Sequence, residues 1–194
     1  MRHVPAVERR EQLITAVIAE VGVEGASTRR IAQAAGAPLA TLHYCFESKE
    51  RLFLDVFDRI LASHRAGTAL IEGQDRSMAE VAGDLLTRTL EWGMRHLDQA
   101  RAELDLALWA ERQESALGVH MYAMFADVWA RALQLAAPDV RPAEILAVVR
   151  LLMALADGLG MQMLAGNDDE QTRRDTSEAG VMLAAYLRAR HRRP

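Results

Sequence analysis

The sequence predicts an all-α protein, and three observations carry that expectation. Apolar residues recur at helical rather than alternating spacing through most of the 194 residues. Alanine and leucine abound while proline numbers 5 and aromatic residues make up 5%, the mix of a packed helical protein. Turn signals are few and widely spaced, the clearest being Pro138 and Pro142. The length suits a small N-terminal unit of three helices plus one larger helical domain. The expected division is 1–50, a fourth helix at 49–66 as connector, and 67–194.

The first helix is expected over Val7 to Val21, where Leu13, Ile14, Val17, Ile18 and Val21 form a stripe at helical spacing. Two short helices follow, joined at Gly36, the one residue type that takes a positive φ without strain and so ends one helix and redirects the chain. Ala32, one turn earlier, is small enough for the second helix to cross the first closely. Ile31, Ala35, Leu42 and Cys45 supply apolar contacts. Pro38 suits the first turn of the next helix, where its missing N–H has no intrahelical acceptor. Together these make the outline of a helix-turn-helix whose second helix enters a DNA major groove. Its outward face carries Leu39, Ala40, Thr41, His43 and Tyr44, chemistry suited to base edges and phosphates.

At these residues the chain resembles the DNA-binding domain of the TetR family of bacterial transcriptional regulators. The family pattern is matched by Thr28, Ile31, Ala32, Ala35, Gly36, the segment Pro38 to Cys45, Phe46 and Lys49, with Arg10 and the breakers Gly22 and Gly25 upstream. Where the family commonly has Ser, Gly and Tyr on the recognition helix, Pro38, Ala40 and His43 stand here, so operator preference does not transfer. The resemblance implies DNA contact by Thr28, Arg29, Arg30, Pro38, Leu39, Ala40, Thr41, His43, Tyr44 and Lys49. Thr28 is expected to cap its helix as well as touch phosphate. His43 either meets phosphate or guanine or fills the aromatic position against Phe46. A lysine at a helix start opposes the macrodipole, which Lys49 would resolve beside a phosphate.

A formal net charge of −4 excludes a protein that coats nucleic acid by bulk electrostatics. Residues 1–49 hold six basic and five acidic side chains, a net of +1, leaving −5 for the remainder. DNA affinity must therefore come from where a few cations sit. Lys49 is the only lysine, and Cys45 the only cysteine, which makes an intramolecular disulfide impossible and a cytoplasmic location the expectation. Cys45 reads as a small apolar residue, a redox role needing an exposed low-pKa thiolate. No signal-peptide pattern opens the chain, and the longest apolar stretch, Leu151 to Met163, is broken by Asp157 and too short for a membrane span.

Beyond Lys49, where Ser48 is the expected cap, Leu52, Phe53, Val56, Phe57, Ile60 and Leu61 form the buried face of the connector. Ser77 caps a helix through Val81, Leu85, Leu86, Leu90 and Trp92, and a weak break falls near Asp98. Helical spacing resumes through Leu104, Leu108 and Trp109, then Leu117, Met121, Phe125, Val128 and Leu133. A loop is expected over Gly166 to Gln171, between helices at Pro142 to Leu164 and Thr172 to Arg190.

In the resembling family the last two helices build the dimer interface, so the resemblance implies a homodimer through Val149, Leu152, Ala156, Leu159, Met182, Ala185 and Tyr186. Alternatively these helices only close the monomer core. A small-molecule effector would bind in the C-terminal domain, the candidates being Trp92, His96, Trp109, Met121, Tyr122, Phe125, Trp129, Met153 and Asp157, apolar and aromatic groups with a few polar ones. Plain core is the competing explanation for each. Asp157, inside an apolar run, must find a partner, across a dimer or on an effector. No cofactor or metal is expected. The histidines stand alone and no glycine-rich phosphate loop or nucleophile elbow occurs, which argues against an enzyme. The expected function is a transcriptional repressor that binds a pseudo-palindromic double-stranded operator and is released by effector. The alternative is a helical protein-interaction scaffold without sequence-specific DNA binding.

Overall fold

A computed structural model describes residues 5–21, 26–69, 76–112, 117–166 and 168–191. The expected breakers Gly22 and Gly25 lie outside these. All regular structure among the described residues is helical: α1 Ala6–Ala16, α2 Thr28–Ala34, α3 Leu39–Cys45, α4 Lys49–Ala69, α5 Met78–Arg95, α6 Leu97–Glu111, α7 Leu117–Ala136, α8 Pro142–Gly166 and α9 Asp169–His191. The first helix is shorter than its apolar stripe, because Val17–Val21 winds on as a π-helical turn.

The chain divides into two compact units, Met1–Ala62 with Asp98–Met121, and Ser63–Leu97 with Tyr122–Pro194. That division differs from the expected boundary at residue 50, because α6 joins the N-terminal helices and α4 contributes residues to both units. In the first unit Leu13, Ile14 and Val17 meet a core with Ile31, Leu42, Phe46, Leu52, Phe53, Val56 and Phe57, all buried. The α4 face is the one its spacing predicts, and Ser48 caps it, accepting from the Arg51 N–H at 3.1 Å. On α6 the buried side is Ala100, Ala102, Leu106 and Ala110, while Leu108 is exposed. Trp109 meets Phe53 edge to face, ring centroids 4.7 Å apart.

In the second unit α5 is the central helix, packed against α9 and α8. Its start is a complete capping box: the Ser77 hydroxyl accepts from Glu80 N–H, and the Glu80 carboxylate accepts from Ser77 N–H at 2.8 Å. Val81, Leu85 and Leu86 are buried, as are Ile145, Val148 and Leu152 of α8 and Ala179, Leu183 and Leu187 of α9.

Of the loop expected at Gly166 to Gln171, Gly166 ends α8 and Asp169 to Gln171 belong to α9, while Asn167 lies outside the described residues. Asp168 caps α9, its carboxylate accepting from Gln171 N–H at 2.9 Å, and Asp169 and Glu170 are the first acidic turn that a helix dipole favours. Thr172 and Thr176 are buried on this helix because each hydroxyl donates to the carbonyl four residues back, at 2.8 and 2.7 Å.

Candidate nucleic-acid interface

The turn between α2 and α3 is built as its residues dictate. Ser27, rather than the expected Thr28, caps α2, accepting from Arg30 N–H at 3.2 Å, because the residue before the first helical one has the extended backbone that a cap needs. At the other end Gly36 has φ +58°. The Ala37 N–H donates to the Ala32 carbonyl at 2.9 Å and the Gly36 N–H to that of Gln33 at 3.0 Å, the paired bonds of a Schellman motif. Ile31 and Ala32 are buried at the crossing.

The second helix starts one residue later than expected. Pro38 sits in the cap position with ψ 143°, and its carbonyl accepts from Thr41 N–H at 2.9 Å. Leu42 alone of this helix is buried, and Phe46 closes the space behind it. Pro38, Leu39, Ala40, His43 and Tyr44 face outward, Tyr44 being 82% exposed, while Thr41 is half-buried. Of the two places open to His43, the structure puts it at the surface. The position over the Phe46 ring belongs instead to the Arg10 guanidinium, 4.4 Å from the ring centroid.

Flanking cations differ in how they are held. Arg29 and Arg30 are exposed on α2 and Thr28 is half-buried. Lys49 is half-buried at the start of α4, its Nζ 5.1 Å from the Phe53 ring centroid, a contact that offsets its unfavourable place on the dipole. Next to it, backbone N–H donation and the Ser48 hydroxyl hold the Glu50 carboxyl below its ordinary range.

Arg10 is the residue whose role spacing alone did not reveal. Its Nε donates to Asp55 at 2.7 Å and its Nη1 to the carbonyl of Cys45, the last residue of α3, also at 2.7 Å. Arg51 holds the other Asp55 oxygen at 3.1 Å. A signal was present: Arg10 lies on the stripe of Ile14 and Val17, and Asp55 interrupts the buried run of α4.

The nine effector candidates are divided between the units. Trp109 and Met121 belong to the first; Trp92, His96, Tyr122, Phe125, Trp129, Met153 and Asp157 belong to the second. There, His64 is buried against Trp92 and Phe125, ring centroids 4.1 and 5.1 Å apart. The Trp92 indole donates to Ser63 Oγ at 2.7 Å. His96 stacks on Trp92, and its Nδ1 carries the proton donated to the Trp92 carbonyl at 2.9 Å, since a carbonyl only accepts. Trp129 and Met153 are buried. Asp157 is half-buried rather than enclosed and accepts from the Tyr122 hydroxyl at 2.9 Å. His64 and Ser63 were not among the expected residues. Apart from this cluster, an open cleft of about 700 Å³ is lined by Arg131, Gln134, Leu135, Pro138, Val140 and Pro142.

The residues of the expected dimerisation set differ in how far the single chain covers them. Val149, Leu152 and Ala156 face the chain's own core, because that side of α8 lies against α5 and α9. Leu159 is half-buried, and Met182, Ala185 and Tyr186 are exposed. The apolar side chains α8 leaves outward are Leu146, Leu151 and Met161, and α9 adds Val181.

Among the described residues no helix is long and apolar enough to cross a membrane, and no cluster of three His, Cys, Asp or Glu side chains is placed to hold a metal ion.

Residues 14–56 match the family of bacterial regulatory proteins called the tetR family. The chain is 30% identical to the nicotine-responsive transcriptional repressor HdnoR of Paenarthrobacter nicotinovorans, over 86% of its own length and 89% of the relative's. Among solved structures it is similar to the multidrug binding protein EbrR complexed with imidazole, at 26% identity and TM-score 0.60, covering 88% of this chain and 94% of that one. It shares a fold with the transcriptional regulator FadR of Bacillus subtilis in complex with stearoyl-CoA, at 13% identity and TM-score 0.71, covering 90% and 97%.

Proposed function

The chain belongs to the TetR family and is a DNA-binding transcriptional regulator, and from that premise we propose that it is a repressor. In this reading a cytoplasmic homodimer occupies a pseudo-palindromic operator and a small organic effector releases it. The observation that carries it is the exposed face of α3, which follows a glycine turn and leaves Leu39, Ala40, His43 and Tyr44 uncommitted to the core. A helical scaffold has no need of that face. Thr41 and Tyr44 read bases, with Pro38, Leu39, Ala40 and His43 beside them. Thr28, Arg29, Arg30 and Lys49 hold the phosphates on either side.

The dimer is supported by a second apolar face on α8 and α9, where Leu151, Met161, Val181, Met182 and Tyr186 remain exposed with Ala185 among them. An isologous dimer supplies the two copies of α3 that a pseudo-palindromic operator with half-sites one DNA turn apart requires. The effector is an aromatic nitrogen compound held by Trp92, His96, Phe125, Trp129 and Met153, with Asp157 and Tyr122 as its polar partners. HdnoR is nicotine-responsive and EbrR is complexed with imidazole, so these two compounds are the first probes. Release requires that the compound bind the DNA-free state more tightly.

The test is a gel shift with DNA flanking the gene and with a scrambled duplex. Binding preferential for the flanking DNA and weakened by salt is expected, and its loss in the double variant Thr41→Ala, Tyr44→Ala at unchanged helicity. Equal affinity for both duplexes would end the repressor reading. A thermal shift with nicotine or imidazole that disappears in Trp92→Ala supports the effector site.

A further inference from the structure

We propose that Arg10 and Asp55 form a clamp that sets the angle at which α3 meets DNA, an inference that rests on α3 being the recognition helix. Seven residues make a helix too short to hold its own direction, and its last carbonyls have no partner within the helix. The Arg10 guanidinium supplies one for Cys45 at 2.7 Å, lies over the Phe46 ring just beyond it, and is itself fixed by the Asp55 carboxylate through both Nε and Nη2. Asp55 is 11% exposed in its side chain and is held on its other oxygen by Arg51. One planar group thus ties α1 and α4 to the C-terminal end of α3. A lysine cannot reproduce it, since an ammonium has no fork to hold a carboxylate and reach a carbonyl together. Arg10 is a positioning residue here.

The same two helices carry a second ion pair, Glu11 with Arg59, which is about half exposed and does not involve α3. It separates positioning from general bracing of α1 on α4. The full-length chain and the variants Arg10→Lys, Asp55→Asn, Glu11→Gln and the double Thr41→Ala, Tyr44→Ala are compared on two probes. One is a duplex selected by the wild type from a random-sequence library and the other its scrambled form, each titrated over a salt series well below the melting temperature.

Arg10→Lys and Asp55→Asn should lower the ratio of specific to non-specific affinity about tenfold, the loss of roughly one base contact. Non-specific affinity and salt slope should stay unchanged, and Glu11→Gln should leave all three alone. If Asp55→Asn does not fold, Arg10→Lys, which keeps charge and stem, carries the test. An equal loss in Glu11→Gln, or an unchanged ratio in Arg10→Lys, reduces the clamp to bracing and overturns the proposal. A salt slope lowered by about one in a further variant that removes the charge, Arg10→Gln, would make Arg10 a phosphate contact instead of a positioning residue, and would overturn it equally. Retained discrimination in the Thr41→Ala, Tyr44→Ala protein would show that α3 does not read DNA, and the clamp falls with that reading.

Discussion

Replacing Gly36 by alanine isolates the backbone conformation on which the helix-turn-helix depends. At φ +58° a Cβ built on this residue meets no atom within 4 Å, so crowding contributes nothing and the penalty is that of the left-handed region itself. That region costs an L-residue about 1–2 kcal/mol, and the stiffer unfolded chain of an alanine variant returns about half a kcal/mol. The net is a loss of about 1 kcal/mol, or roughly 2–4 °C in Tm for a chain of this size. Asparagine, which visits this region more readily, should lose less than alanine, although it is the larger side chain. The two backbone hydrogen bonds of the turn survive in both variants because their donors are main-chain groups. Urea and thermal melts of Gly36→Ala and Gly36→Asn measure the difference. If alanine is no worse than glycine, or asparagine is worse than alanine, conformational strain is not what selects glycine here.

Three other outcomes follow from individual contacts. Arg76 donates to Asp84 at 2.6 Å and holds that carboxyl below its ordinary value of 3.8. A carboxylate with a lowered folded pKa stabilises above the unfolded value, and that contribution fades as pH falls through the folded one. Asp84→Asn should therefore melt below the wild type at neutral pH, with the gap closing only below about pH 3.8. A gap that persists into stronger acid would mean the pair contributes something other than charge. Lys49→Gln should weaken binding to specific and scrambled duplexes by the same factor and reduce the log–log salt slope by about one. An unchanged slope would place the lysine away from phosphate. Met182→Glu, on a side chain 63% exposed, should leave the melting of the subunit intact while dissociating a dimer, since each substitution counts twice at a two-fold interface. Light scattering that still reports a dimer would move the interface elsewhere.

Short-range devices were legible in the sequence and long-range ones were not. Gly36, Ser48 and Ser77 act on residues within four positions, so residue type and spacing suffice to place the turn and both caps. The stripe of α4 was equally plain, because one face is apolar and the other charged. On α8 apolar residues occupy every side, and such a pattern cannot say which side meets the core. Hence the dimer role and the closing of the monomer core are both open to Val149, Leu152 and Ala156 in the sequence, and their burial within the single chain is visible only in the structure. Arg10 and Asp55 are 45 residues apart, and an ion pair at that separation leaves no periodic trace. Asp168 was lost in a polar string whose composition reads as loop, although a single carboxylate turns most of that string into the first turn of α9. Trp109 carries the composition of an effector-site residue but packs on Phe53, since nothing in a helical repeat distinguishes one aromatic core from another.

Separating the reading surface from the frame that holds it has a consequence for how this protein changes target. Leu42 and Phe46 anchor α3 from below, the Gly36 turn precedes it and the Arg10 guanidinium follows it, while Leu39, Ala40, His43 and Tyr44 point away from all three. If α3 reads DNA as proposed, substitutions at those four exposed positions alter chemistry at the groove without opening a cavity or leaving a buried polar group unpaired. Their effect on stability should stay within about 0.5 kcal/mol, as for surface residues generally. On the proposed clamp, substitutions in the frame should do the reverse, costing stability and blurring discrimination together. A Tyr44→Gln, His43→Arg pair should therefore bind a different best sequence at nearly unchanged Tm, measured by selection from a random library and by melting. If that pair instead melts far below the wild type, the outward face is part of the frame, and sequence preference in this chain cannot change independently of its fold.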